Sequence, residues 1–192
     1  MSILPLFFII VIFFTQLIKR PFLEKNLKKI FWIPVVAVFS LSTIFSFLQY
    51  RAWKENKLMQ FVFETDGGFS GFLYNAFMSY YAPYILSLFL AGILVLLMFI
   101  INKRSGYRFF EREEILIAFL ASFLVGFPGF LFFIFGIVIA YLFTHIISVI
   151  IKKSVRGNVI PLYYFWLPVS GSVIITEMIW LSKLGFWSLL SV

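Results

Sequence analysis

The sequence predicts an all-α, polytopic membrane protein with about six transmembrane helices, two of which form a short helical hairpin at 113–151. Three observations predict it. The chain is 62% hydrophobic and only 12% charged, with a mean hydropathy of +1.04, whereas soluble domains are about 45–50% apolar and about 25% charged. Uncharged runs recur at lengths near or above the roughly 20 residues a helix needs to cross about 30 Å of hydrocarbon. Lys and Arg gather between those runs, as determinants of membrane topology do.

The first run, residues 1–18, could pass for a signal peptide. It lacks a basic leading region and a small-residue cleavage site, so a retained first span is expected. Ile30–Tyr50 is uncharged throughout and forms the second span. Gly67–Asn102 is also uncharged but longer than one crossing needs. The crossing is expected near Pro83–Ile101, with Gly67–Tyr81 as an interfacial or re-entrant lead-in. Ile115–Ile151 would make a single helix of about 55 Å, too long for one crossing. Gly126-Phe127-Pro128-Gly129 interrupts it with a strong turn sequence. A short helix near 113–125 and a full span near 129–151 follow. The last span is expected near Val159–Leu181, delayed or kinked by Pro161 and Pro168. Trp32, Trp53, Trp166 and Trp180 are expected as interfacial anchors.

Charge counting sets the orientation. With the N-terminus outside, Lys19, Arg20, Lys25, Lys28 and Lys29, then Lys103, Arg104, Arg108 and Arg112, then Lys152, Lys153 and Arg156 all fall inside. Arg51, Lys54, Lys57 and Lys183 fall outside, so 12 basic residues are inside against 4 outside. Without the hairpin the split is 10 against 6, so the positive-inside tendency favours six crossings with both termini outside. The expected location is the cytoplasmic membrane of a prokaryote. No internal repeat, linker or low-complexity tail divides residues 1–192, which read as one membrane domain.

Composition also narrows the chemistry. There is no Cys and a single His, which removes disulfide and thiolate chemistry and argues against a protein-built zinc site. No cofactor is expected. The net charge of +8 follows from the topology loops. No basic domain stands apart from the membrane, so a nucleic-acid partner is not expected and the lipid bilayer is.

Of the eight acidic residues, three stand at 111, 113 and 114, at the mouth of the broken apolar run. Acids in a first helical turn complement the macrodipole and could pair with Arg108 or Arg112. Glu24 falls on the same, cytoplasmic side. Glu64 and Asp66 fall outside, in a turn-forming stretch. Glu177 falls near the outer end of the last span, where it can snorkel. His145 lies inside a span, which makes it a functional candidate by default, though a carbonyl or Thr144 could satisfy it.

The stretch "EILIAFLASFLVGFPGFL" places a carboxylate fourteen residues ahead of Pro128-Gly129. In this it resembles the second half of the type IV prepilin peptidases, aspartic membrane proteases whose pattern is a cytoplasmic Gly-x-Gly-Asp-x-Lys, a small-residue helix and a Gly-Trp-Pro-Gly-like turn. Glu114 takes the register of the Asp; Ala118, Ala121 and Ser122 supply small residues. "NLKKIFWIPVV", Asn26 to Val36, is similar to the first catalytic element through Ile33-Pro34, with Asn26 one residue off the Asp position. "RGNVIPLYYFWLPVSG" is similar to a third element through Ile160-Pro161. The resemblance covers residues 20–175 and implies catalytic positions at Glu114 and Asn26, with Glu113 and Glu24 as neighbouring carboxylates. It also implies pilin-like membrane partners.

The departures are in the chemistry. "RFFEREE" stands where Gly-x-Gly-Asp is expected, Leu116 replaces the Lys, and Asn26 cannot ionise. Two carboxylates sharing a proton is what an aspartic dyad needs. Glu in place of Asp moves the acid by about 1 Å, which can cost about 10²-fold. The expectation is therefore an inactive or strongly diverged homologue acting in assembly or binding. Two alternatives are an active protease using Glu114 and a small transporter or scaffold subunit. Glu113-Glu114 with Tyr141 and His145 also resembles the CAAX-type intramembrane metalloproteases, but the following Arg and a second His are missing.

Overall fold

A computed structural model of the chain describes residues 3–18, 20–56, 68–106, 110–152 and 162–179. Among these residues the fold is helical, with no strand. Helix α1 covers Ile3–Ile18, and α2 covers Arg20–Glu55. Helix α3, Gly68–Ala76, passes through a π-helical segment, Phe77–Tyr81, into α4, Ala82–Arg104. Helix α5 is Arg112–Val125, and α6 is Gly129–Lys152. A 3₁₀ turn, Leu162–Tyr164, leads to α7, Trp166–Ile179. Among the described residues, three helical stretches are long and apolar enough to cross a membrane: Lys29–Glu55, Gly68–Arg104 and Gly129–Ile147. Ile3–Ile18 and Trp166–Ile179 are shorter apolar helices.

The short α5 forms the centre of the fold. It packs on α1, α2, α4, α6 and α7, and every residue from Leu120 to Gly126 is buried. Its run of Ala118, Ala121 and Ser122 lets neighbours approach closely, while Phe123 and Leu124 fill the space between them. The surrounding helices bury one stripe each. On α1 this stripe is Pro5, Ile9, Ile12 and Gln16, a spacing of three to four residues that keeps one helical face inward. Leu131, Phe135, Leu142 and Phe143 on α6 remain exposed, as do Phe89, Leu96 and Phe99 on α4. Such outward apolar surface is compatible with contact with lipid.

The turn between α5 and α6 is built from its own sequence. Gly126 has φ +73°, a conformation favourable to glycine. The Phe127–Pro128 peptide is cis. Phe127 N–H donates to Pro83 O at 3.1 Å, pinning the turn to the start of α4. At Gly129 a Cβ would stand 2.7 Å from Val125 Cγ1, so only glycine fits there without a shift.

Two expectations need correction. Gly67–Tyr81 was expected as an interfacial or re-entrant lead-in; from Gly68 onward it is helix that runs on into α4 and does not re-enter. The π segment just before Pro83 is the physical reason. Pro clashes with the carbonyl four residues back, and a π bulge opens the ladder there without ending the helix. Trp166 was expected as an interfacial anchor and is buried at 3% exposure, because its indole N–H has an internal partner. Trp32 is exposed. Trp53 is half-buried, with its ring 5.5 Å from that of Phe72. Pro168 lies in the first turn of α7, where no intrahelical N–H bond is lost. Glu64, Asp66, Arg108, Pro161 and Trp180 lie outside the described residues.

Candidate functional site

The acidic end of α5 begins at Glu111, the N-cap residue, whose backbone is extended at φ −73°, ψ 156°. Arg112, Glu113 and Glu114 then occupy the first three helical positions. An acid at the third position can reach back to the N-cap N–H. Glu114 does so, accepting a hydrogen bond from the Glu111 backbone N–H. It also accepts one from Trp166 Nε1 at 3.2 Å. Glu114 is only 3% exposed. It lies outside the three long apolar helices. Burial pushes its carboxyl above the usual range, and the hydrogen bonds from Trp166 and Glu111 oppose that shift.

The same end is tied to two further elements. Gln16, 1% exposed, donates from Nε2 to Tyr163 O at 2.9 Å, joining α1 to the segment that leads into α7. Trp166 also sets its ring 6.0 Å from that of Phe133 on α6. Nearby, Asn102 closes α4 onto the entry of α5: its Nδ2 donates to Phe110 O at 2.9 Å, and its Oδ1 accepts from Phe110 N–H at 3.2 Å. Gln16, Trp166 and Asn102 were not expected as determinants of this end. Gln16 could have been found, because it is the polar member of an otherwise apolar stripe.

The four candidate catalytic residues fare differently. Glu114 is buried and doubly bonded; Glu113 is half-buried in the same turn. Asn26 is half-buried on α2. Glu24 lies on α2 with its side chain outside the described residues. The ring pair Phe31–Phe119 at 5.2 Å, followed by Phe39–Phe123 at 6.1 Å, sets α2 and α5 running in the same direction. Asn26 and Glu114 therefore both lie toward the N-terminal ends of these two parallel helices. Trp166 and Glu111, which hydrogen-bond to Glu114, are not among the four.

His145 is exposed on α6 and stacks on Tyr141 at 6.1 Å and 16°. Thr144 does not bond to His145; its hydroxyl donates to Ala140 O and to Tyr141 O. Among the described residues no group of three or more His, Cys, Asp or Glu could hold a metal ion. At the opposite, turn end, Glu177 Oε2 lies 3.5 Å from where a Cβ on Gly129 would stand. Tyr84 lies against Gly126 in the same way, 3.7 Å from its Cβ position.

The described chain is thus an all-helical protein with three helices able to span a bilayer, organised around a buried short helix. Comparison with protein-family models, with curated proteins and with solved structures found no match for it.

Proposed function

We propose that the chain is a polytopic integral membrane protein of a prokaryotic cytoplasmic membrane, with six helical segments and both termini outside. It binds or helps assemble membrane partners, pilin-like proteins among them, and does not cut them. One observation carries this reading. Glu114, the only carboxylate in the peptidase-like register, serves as the structural acceptor that joins the first turn of α5 to the first residue of α7. A general acid or base needs its proton within hydrogen-bond reach of substrate or a bridging water. Glu114 instead directs its oxygens at protein donors. Asn26, at the same end of the parallel helix α2, cannot share a proton, so the two lack the chemistry of an aspartic dyad.

The test is co-expression with a pilin-like substrate carrying its leader. Leader cleavage is scored by mass, and association by co-purification in detergent. The expected result is no cleavage with either the wild-type chain or Glu114→Gln, and equal co-purification with both. Cleavage by the wild type that Glu114→Gln abolishes would establish the active-protease reading instead.

A further inference from the structure

The first arm of the α5–α6 hairpin is too short to cross a membrane by itself. Helix α5 has 14 residues, so it rises about 21 Å, well short of the roughly 30 Å hydrocarbon layer. On α2 the uncharged run is 30–50, flanked by Lys29 and Arg51, and it rises about 31 Å. That run matches the hydrocarbon thickness and supplies a depth scale.

Contacts place the α5–α6 turn on this scale. Phe39 meets Phe123 near the end of α5. Ser42 donates to Tyr80 O at 2.9 Å, and Phe127 N–H donates to Pro83 O. The turn is therefore level with about Phe39–Ser42. Above it α2 and α3 continue as a pair: Gln49 Nε2 donates to Asn75 Oδ1 at 2.9 Å, and Trp53 packs on Phe72. Eight residues separate Ser42 from Tyr50, a rise of about 12 Å.

We infer that the Gly126–Gly129 turn lies inside the bilayer, about 12 Å below the outer edge of the hydrocarbon, so that α5 and α6 form a re-entrant hairpin walled by the taller α2–α3 pair. Two further observations support it. Irregular backbone inside a membrane requires internal partners, and four N–H groups in and just after this turn have them. Gly126 N–H donates to Phe123 O, Phe127 N–H to Pro83 O, Phe130 N–H to Gly126 O and Leu131 N–H to Pro128 O; Pro128 has no N–H to satisfy. If instead the turn were at the membrane surface, Phe47, Leu48, Phe69, Leu73 and Tyr74 would project into water, all of them at least half exposed. Exposed apolar surface of that extent is unfavourable in water and favourable in lipid; the deeper placement carries only the end of α6, Phe143 and Ile146, about 2–7 Å past the inner edge, a smaller exposure. The inference goes beyond the function proposed above and is independent of it.

The chain has no native cysteine, so single-cysteine variants report one position each. Leu131→Cys and Tyr74→Cys replace exposed side chains, and Phe132→Cys, also exposed, serves as a second probe of the same level. Each variant is labelled with a small maleimide fluorophore and reconstituted into phosphatidylcholine vesicles brominated either near the chain ends or near the headgroup. The 131 and 132 labels should be quenched several-fold more by deep bromines than by shallow ones, and the 74 label by shallow ones. Shallow quenching at 131 and 132 with no quenching at 74 would overturn the inference.

Discussion

Replacing Glu114 separates its role as an acceptor from its charge. In Glu114→Ala the buried Trp166 N–H loses its Glu114 acceptor, at a cost of about 1–3 kcal/mol for an unsatisfied buried donor. The Glu111 N–H loses its cap, worth about 0.5–2 kcal/mol. Allowing for non-additivity, Glu114→Ala should destabilise by about 2–4 kcal/mol. Glu114→Gln retains an oxygen acceptor of the same reach and removes a carboxylate held in an apolar setting, so its cost should stay within about 1 kcal/mol. At about 2–4 °C per kcal/mol for a chain of this size, Ala should lower Tm by roughly 4–16 °C and Gln should barely move it. Thermal unfolding in detergent, followed by helical circular dichroism, reads both. If Gln proves as damaging as Ala, the charge itself is needed and the acceptor argument fails.

The pH dependence of the same pair supplies a second prediction. Glu114 is raised in the folded state by burial, so its protonated form favours folding. Its contribution is fully present below the unfolded-state value and is lost as pH rises through the raised folded value. The Tm of Glu114→Gln should therefore gain on that of the wild type from acid to neutral pH; a constant difference would count against the assignment. At Gly136 a Cβ would stand 2.8 Å from Val169 Cγ1, so Gly136→Ala should cost about 1–3 kcal/mol by overpacking α6 on α7. Adding Val169→Ala should recover part of that loss in the same melts. Gly92 has nothing within 4 Å of its Cβ position, and Gly92→Ala should instead stabilise by about 0.5–1 kcal/mol. Ser87→Ala removes a fully buried 2.7 Å bond from Ser87 Oγ to Ser122 O between α4 and α5, and chemical denaturation should register a loss of about 1 kcal/mol.

What was legible in the sequence depended on which physical effect set each boundary. The expected short helix, turn and span at 113–125, 126–129 and 129–151 appear as Arg112–Val125, the Gly126 turn and Gly129–Lys152. Backbone chemistry fixes these boundaries: a positive φ that suits glycine, and a proline that removes an N–H. Helix α2 begins at Arg20, ten residues before the expected Ile30. Hydropathy sees only the stretch matched to lipid, while Glu24, Lys25, Lys28 and Lys29 are good helix formers that continue the helix beyond it. The bond from Trp166 to Glu114 was not legible, because it joins residues 52 positions apart and neither side chain advertises its partner. Asn102 was hidden for the same kind of reason: its two bonds to Phe110 depend on the chain reversing between α4 and α5.

The bonds between distant elements bear on topology because they sort by end. Gln16 with Tyr163, Trp166 with Glu114, and Asn102 with Phe110 all fall at segments expected inside by charge counting. Phe127 with Pro83, Gln49 with Asn75, and Glu177 beside Gly129 all fall at segments expected outside. Not one of these six links joins an expected inside segment to an expected outside one. Charge counting uses only Lys and Arg, whereas the five bonds among these links are made by amides, an indole, one acid and backbone groups. The links fix which helix ends lie together; which of the two ends faces inside rests on the charge count alone. A chain whose helices ran in a different order would have mixed the two groups. The alternation survives whether the turn stands at the membrane surface or below it, because a hairpin that goes out and returns leaves both its ends on one side in either case. The depth of the turn and the sidedness of the chain are thus separate properties, and the quenching experiment probes the first without disturbing the second.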